Sequence, residues 1–161
     1  MVKQRIETPE KLVHFQLRST LTMENDSLAA LKELAGAARS SEIKELFRHH
    51  ADETREQLDN LGKVFVALEL KQTTAPSPST KGISKQAASL IERVAPKLRD
   101  RVTLTAALGN EHYEMAAYQG LIVPLTALGA SEAVALLQAN LDQETHTSEE
   151  LKKALESLVA G

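Results

Sequence analysis

The chain has 161 residues, enough for one domain with a core and little more. Its 22 acids against 19 strong bases give a formal charge of −3, so it lacks the basic excess of a general nucleic-acid binder. Cysteine and tryptophan are absent, which excludes disulfides, thiolate metal sites, cysteine nucleophiles and a base-stacking platform.

The opening MVKQRIETPE has no apolar h-region, so no secretory leader is expected. The longest apolar stretch, 120–130, is about half a membrane span and contains Pro124. A cytoplasmic protein without nucleic-acid or membrane partners is therefore expected. Thr8-Pro9-Glu10 reads as a helix start: a hydroxyl cap, proline at the first helical position and an acid in the first turn. Leu17, Leu21, Leu28, Leu31 and Ala35 then recur at helical steps to about Ala38. Arg39-Ser40-Ser41 breaks the pattern, and either serine can cap a second helix carrying Ile43, Leu46, Phe47, Leu61, Val64, Phe65 and Leu68, which fades near Leu70.

Residues 71–83, rich in Pro, Ser and Thr, read as an exposed crossover linker. A short helix is expected from Ser84 to Val94, interrupted at Pro96. A third long helix is expected from about Lys97 to Ile122, with Gly120, Pro124 and Gly129 marking its end and the next turn. Ser131-Glu132 opens a fourth, apolar at Leu137, Leu141, Leu151, Leu155 and Leu158. No strand-like alternation appears. Two helical hairpins joined by a long connection make an all-α, ferritin-like four-helix bundle, a single domain over 1–161 whose crossover contains a short extra helix.

Acids interrupt the apolar stripes. Glu24 sits between Leu21 and Leu28, Glu111 between Leu108 and Met115, and Glu144 between Leu141 and Leu151. Glu114 lies about 60° from Glu111 around its helix, still on the inward face. The second helix places His50, Glu53 and Gln57 on the face of Ile43, Leu46 and Leu61. A single core glutamate can be a salt bridge or a helix edge, because a buried carboxylate needs a neutralising partner. Four, one on each helix, point to a common site.

Depth is an independent test, since residues level in a hairpin are equidistant from its turn. The midpoint of 24 and 53 falls between Ala38 and Arg39, and that of 111 and 144 between Ala127 and Leu128. Both pairs should lie roughly 20 Å from their turns, at about 1.5 Å per residue. Such a carboxylate-rich pocket suits two hard divalent cations, iron or manganese, with Glu24, His50, Glu53, Glu111, Glu114 and Glu144 as candidate ligands. The pattern departs from the usual Glu-x-x-His: Glu56 follows Glu53 and Thr147 follows Glu144, so a histidine ligand would have to be His50. His50 reads equally as a core histidine hydrogen-bonded to Glu53 or Glu111. His14, His49, His112 and His146 read as surface or flank residues, Tyr118 as a core tyrosine with a satisfied hydroxyl or else a redox tyrosine, and Gln57 as a partner to a ligand.

HADETREQLDNLGKVF around Glu53 and EHYEMAAYQGL around Glu111 resemble the YciF/YciE-type family of bacterial stress proteins in the ferritin-like superfamily. TPEKLVHFQLRSTLTMENDSLAALKELA and LLQANLDQETHTSEEL extend the resemblance over nearly the whole chain. It implies a homodimeric, rubrerythrin-like bundle with a di-metal centre. Glu111-x-x-Glu114 is similar to the paired glutamates on the third helix of rubrerythrins, and Glu24, Glu53 and Glu144 match the single glutamates of the other helices. Without cysteine, the chain cannot carry a rubredoxin-like iron.

Two functions remain open at this point. One is a di-iron or di-manganese protein that reacts with oxygen or peroxide in a stress response. The other is a non-catalytic dimeric helical stress protein whose glutamates share protons over an empty site. If the five glutamates are interior, the remaining 17 acids face 19 bases, and the surface carries a small positive balance.

Overall fold

The computed structural model describes residues 5–160, which are helical and without strands. Four long helices form the bundle: α1 (Pro9–Ala37), α2 (Ser41–Ala67), α4 (Arg99–Ala127) and α5 (Ser131–Ala160). α3 (Pro78–Arg93) and a 3-10 turn at Pro96–Leu98 lie in the crossover. No described helix is long and apolar enough to cross a membrane.

The starts follow from local chemistry. Thr8 accepts from the Lys11 amide with Pro9 at the first helical position, and Ser40 accepts from the Ile43 amide. Arg39 and Ser40 also donate their backbone amides to the Asp100 carboxylate, at 2.5 and 3.0 Å. That contact fixes the start of α4 beside the α1–α2 turn, so the crossover returns along the bundle. Each bundle helix is consequently antiparallel to its neighbours, in the cyclic order α1, α2, α5, α4, while α3 covers α1 and α4. This is the ferritin-like arrangement expected from two hairpins and one long connection.

Two boundaries and the exposure of one segment differ from the sequence expectation. The crossover helix begins at Pro78, not Ser84, because Pro78 occupies the first helical position, where its missing N–H is harmless. The segment 71–83 is also not uniformly exposed, since Ala75, Ser77 and Thr80 are buried. Arg18 and Thr22 hold it onto α1 through the Thr74 and Ala75 carbonyls, both at 2.7 Å. Finally, α4 continues through Pro124 to Ala127. One hydrogen bond lost in the last turns is outweighed by burial of Leu121 and Leu125, and Gly129, at φ 73, supplies the left-handed stop.

The apolar core divides into two clusters, one built on Leu17, Leu61, Phe65 and Leu137 and the other on Leu31, Phe47, Leu104 and Leu151. The buried residues lying between them along the helices are largely polar.

Candidate metal centre

Glu24, Glu111, Glu114 and Glu144 are all buried, between 0 and 3% exposed. Glu111, Glu114 and Glu144 each offer an oxygen within 4.8 Å of the others. Two come from successive turns of α4 and one from α5, as the inward face and the hairpin level of 111 and 144 require. Glu24 reaches the same level from α1, close enough for its charge to act on all three.

Glu53 stands apart. Its side chain keeps 17% of its surface exposed, and His50 Nδ1 lies 2.9 Å from its Oε2. Thr147 Oγ1 donates to the same oxygen at 3.2 Å, and His49 approaches Oε1 at 3.6 Å. His50 is buried, with Nδ1 turned to Glu53 and Nε2 lacking a hydrogen-bond partner 3.8 Å from Glu150. The structure thus brings three of the six candidates within 4.8 Å of one another, with Glu24 buried alongside, and sets His50 and Glu53 as a hydrogen-bonded pair at the edge, near enough for the Glu53 charge to act on Glu111. Of the other histidines, His49 and His146 are more than half exposed in their side chains, His112 is exposed and His14 half-buried. Glu56 is exposed too, hydrogen-bonded only by Gln143.

Electrostatics separates the two groups. Burial raises Glu111, Glu114 and Glu144 well above the carboxylate value of 4.5, and their mutual charges raise them further. A hydrogen bond from the Glu144 carboxyl to Glu111 favours the charged form of Glu111 and the neutral form of Glu144. Donation from Ser27 and Asn110 to Glu114, and from Gln57 to Glu144, only partly offsets this. Glu24 is pushed up to about 7 by burial, against a hydrogen bond from Tyr118. At Glu53 burial also acts upward, but the His50 hydrogen bond, the two imidazoles and Thr147 together hold it below its ordinary value.

Several of these partners escaped the sequence reading. Asn110, Ser27, Asn140 and Thr147 are buried and support the cluster. Their common signal is a small polar residue three or four positions from a core glutamate, on the same helical face. The α4 stripe also runs through Ala107, Glu111, Glu114, Tyr118, Leu121 and Leu125, with Leu108, Met115 and Ile122 on its flanks. Glu114 is therefore as central as Glu111.

The residues fit a hard divalent cation. Glu24 Oε2, Glu111 Oε2 and Glu114 Oε1 are buried without a hydrogen-bond partner, an arrangement that needs a cation or a proton. An all-oxygen donor set suits manganese, iron(II) or magnesium more than zinc or copper.

Known proteins share this framework. Protein YciF of Escherichia coli K12 is 28% identical over 144 residues, covering 88% of this chain and 87% of the relative. The crystal structure of the E. coli stress protein YciF superposes with a TM-score of 0.91 at 27% identity, covering 96% of this chain and 99% of that one. YcfI from Rhodopseudomonas palustris, put forward as a structural protein, gives 0.90 at 27% identity, covering 94% and 98%. The resemblance carried by EHYEMAAYQGL and HADETREQLDNLGKVF is thereby upheld. The family profile of the domain of unknown function DUF892 matches residues 8–161, and the chain belongs to that family.

Proposed function

We propose that this protein binds divalent metal, iron or manganese, on Glu24, Glu111, Glu114 and Glu144, and acts on oxygen or peroxide in a stress response. The observation that carries the reading is the convergence of three buried carboxylates within 4.8 Å. Glu53 and His50, at the edge of the group, are the residues that would complete a second ion's ligands. Iron held there would supply electrons to a small oxidant. The chain's own part is positional and protonic. Tyr118 orients Glu24, Gln57 orients Glu144, and the proton that Glu144 donates to Glu111 must leave as a cation enters. Glu53, partly exposed beside the buried His50 and Thr147, is the way for that proton to reach solvent.

Anaerobic loading with Fe(II) or Mn(II), followed by dialysis and elemental analysis, tests the assignment. About two ions per chain are expected, and fewer than about 0.2 would overturn it. The homodimer belongs to the same proposal. It is supported by exposed Val66, Val123 and Leu128, all toward the end of the bundle that holds the α4–α5 turn. Sedimentation equilibrium decides it.

A second reading, a non-catalytic structural stress protein, is favoured by one specific feature. His50 Nδ1 and Glu53 already satisfy each other and Thr147, and the remaining His50 nitrogen, Nε2, faces Glu150, leaving four carboxylates for the cluster. Protein purified from iron-replete cells without metal, and unable to take it up, would establish that reading instead.

A further inference from the structure

A second group of ionisable side chains gathers where α2 and α5 pack. His146 and Glu150 stand one turn apart on α5, with His146 Nε2 3.4 Å from Glu150 Oε1. His50 meets the same carboxylate from α2, its Nε2 3.8 Å from Glu150 Oε2. Both of these facing atoms are buried, and among the described residues neither has a hydrogen-bond partner. His50 is 2% exposed, so its nitrogen has no recourse to water.

The other ring nitrogen decides what Nε2 presents. His50 Nδ1 is 2.9 Å from Glu53 Oε2, and Glu53, held ionised below its ordinary value, can only accept. Nδ1 therefore carries the ring hydrogen, and Nε2 of the neutral imidazole is left with a bare lone pair. It faces a carboxylate oxygen that is an acceptor as well. Two buried acceptors opposed at 3.8 Å are costly unless a cation lies between them. A proton bridges that gap poorly, being too short in reach for an N–H···O bond of such length. A metal ion with bonds of about 2.0–2.2 Å to nitrogen and oxygen spans it.

We propose that His50 Nε2, Glu150 and His146 form a second metal site, for one zinc-type divalent ion, with Glu53 as the partner that holds His50 in its ligating tautomer. Donor chemistry sets it apart from the carboxylate group. Two imidazoles and one carboxylate suit zinc or cobalt(II), whereas an all-carboxylate set suits iron(II), manganese or magnesium. His146, with 65% of its side chain exposed, is free to turn, and binding draws it from Glu150 Oε1 onto the ion. Glu150, with 34% of its side chain exposed, gives the ion a way in and leaves a fourth position to water. The site goes beyond the iron or manganese reading and does not rest on it, because this ion is met through the ring nitrogen that faces Glu150 and not the one that faces Glu53.

Zinc(II) titration of metal-free protein, followed by calorimetry and imidazole nitrogen-15 NMR, tests it, with Glu111→Gln protein used to take the carboxylate group out of the count. In that variant about one zinc per chain is expected, with a Kd below about 10 μM, and the His50 and His146 resonances should move together up to one equivalent. His146→Gln and Glu150→Gln, both at partly exposed positions, should each weaken zinc binding at least tenfold and leave the Tm of metal-free protein in place. His50→Gln should abolish binding. Should His50→Gln lose its helical circular dichroism, the decision falls to the two α5 variants. No zinc bound at about 100 μM, zinc shifts that leave His50 untouched, or indifference to His146→Gln and Glu150→Gln would each overturn the proposal. Zinc binding lost in Glu111→Gln would overturn it too, by making the imidazoles mere neighbours of the carboxylate group. Iron or manganese uptake that fails in the parent while zinc still binds His50 would sink the earlier reading alone.

Discussion

The Tyr118 hydroxyl donates to Glu24 Oε1 at 2.5 Å, joining α4 to α1 across 94 positions of sequence. The same hydroxyl accepts from Asn140 Nδ2 at 3.0 Å, and Asn140 in turn accepts from Asn60 at 2.8 Å. One phenol therefore ties all four bundle helices together beside the carboxylate group. Burial and the nearby Glu24 and Glu144 charges raise Tyr118 well above its ordinary value, so it acts as a donor and not as a phenolate.

Tyr118→Phe removes the donor that favours the charged form of Glu24. Its pKa should then move above about 7, since burial is left unopposed. Carbon-13 carboxyl titration of metal-free protein reads this directly, and a pKa moved downward would contradict the assignment. The variant also leaves Asn140 Nδ2 with the Gln57 carbonyl as its one remaining acceptor and should lose about 1–2 kcal/mol of stability by denaturant titration.

The carboxylate group should make metal-free protein less stable as pH rises. Glu24, Glu111, Glu114 and Glu144 all have folded-state pKa values above the ordinary 4.5. Between 4.5 and those raised values the folded chain holds more protons than the unfolded one, so raising the pH favours unfolding. Their stabilisation is complete below about 4.5 and is lost as pH passes through the raised values, about 7 for Glu24. Glu53, held below its ordinary value, contributes the opposite slope only in acid. Thermal melts at pH 5.5 and 8.0 should give the higher Tm at 5.5. Saturating Mn(II) should raise the Tm most at pH 8, where fewer protons compete for the ligands.

The site was legible where periodicity and hairpin depth coincide. Glu111 and Glu144 are equidistant from the α4–α5 turn, and each brings an oxygen within 4.8 Å of the other. The phase of α4 was harder to read, because α1, α3 and α5 cover it on three sides and Leu108, Met115 and Ile122 are half-buried as well. With apolar side chains on several faces, hydrophobicity cannot say which of them points at the centre. The fate of Glu53 was legible in part. Its pairing with His50, three residues away on α2, is one of the readings the sequence offers, whereas Thr147 reaches it from α5 across 94 residues, which no helical period encodes. The start of α3 was misread for a simpler reason: Pro78 both ends an extended run and opens a helix, and composition alone shows only the first.

Glu69, just past the end of α2, has φ 54, the one described non-glycine residue with positive φ. The Leu70 and Glu69 amides close on the Phe65 and Val66 carbonyls at 2.9 and 3.0 Å, a stop motif that favours glycine. Glu69→Gly relieves the side-chain strain of that conformation and should add about 0.5–1 kcal/mol despite the extra entropy of the unfolded chain. Urea unfolding measures it. Gly129, at φ 73 in the α4–α5 turn, gives the converse: Gly129→Ala should cost about 1 kcal/mol.

Glu111→Gln keeps the size and an acceptor oxygen but removes a charge from the centre of the group. Metal uptake should fall at least tenfold, because a neutral amide oxygen replaces a carboxylate among hard-cation ligands. The metal-free variant at pH 8 should be as stable as the parent or more so, since Glu111 is crowded there by Glu114, Glu24 and Glu53 and has no cationic partner. Paired measurements of metal content and Tm separate the possible roles. A Tm lowered by more than about 5 °C in the metal-free variant, a loss of roughly 2 kcal/mol, would make Glu111 half of a structural interaction instead of a metal ligand. Retained metal binding with an unchanged Tm would move the site away from Glu111 altogether.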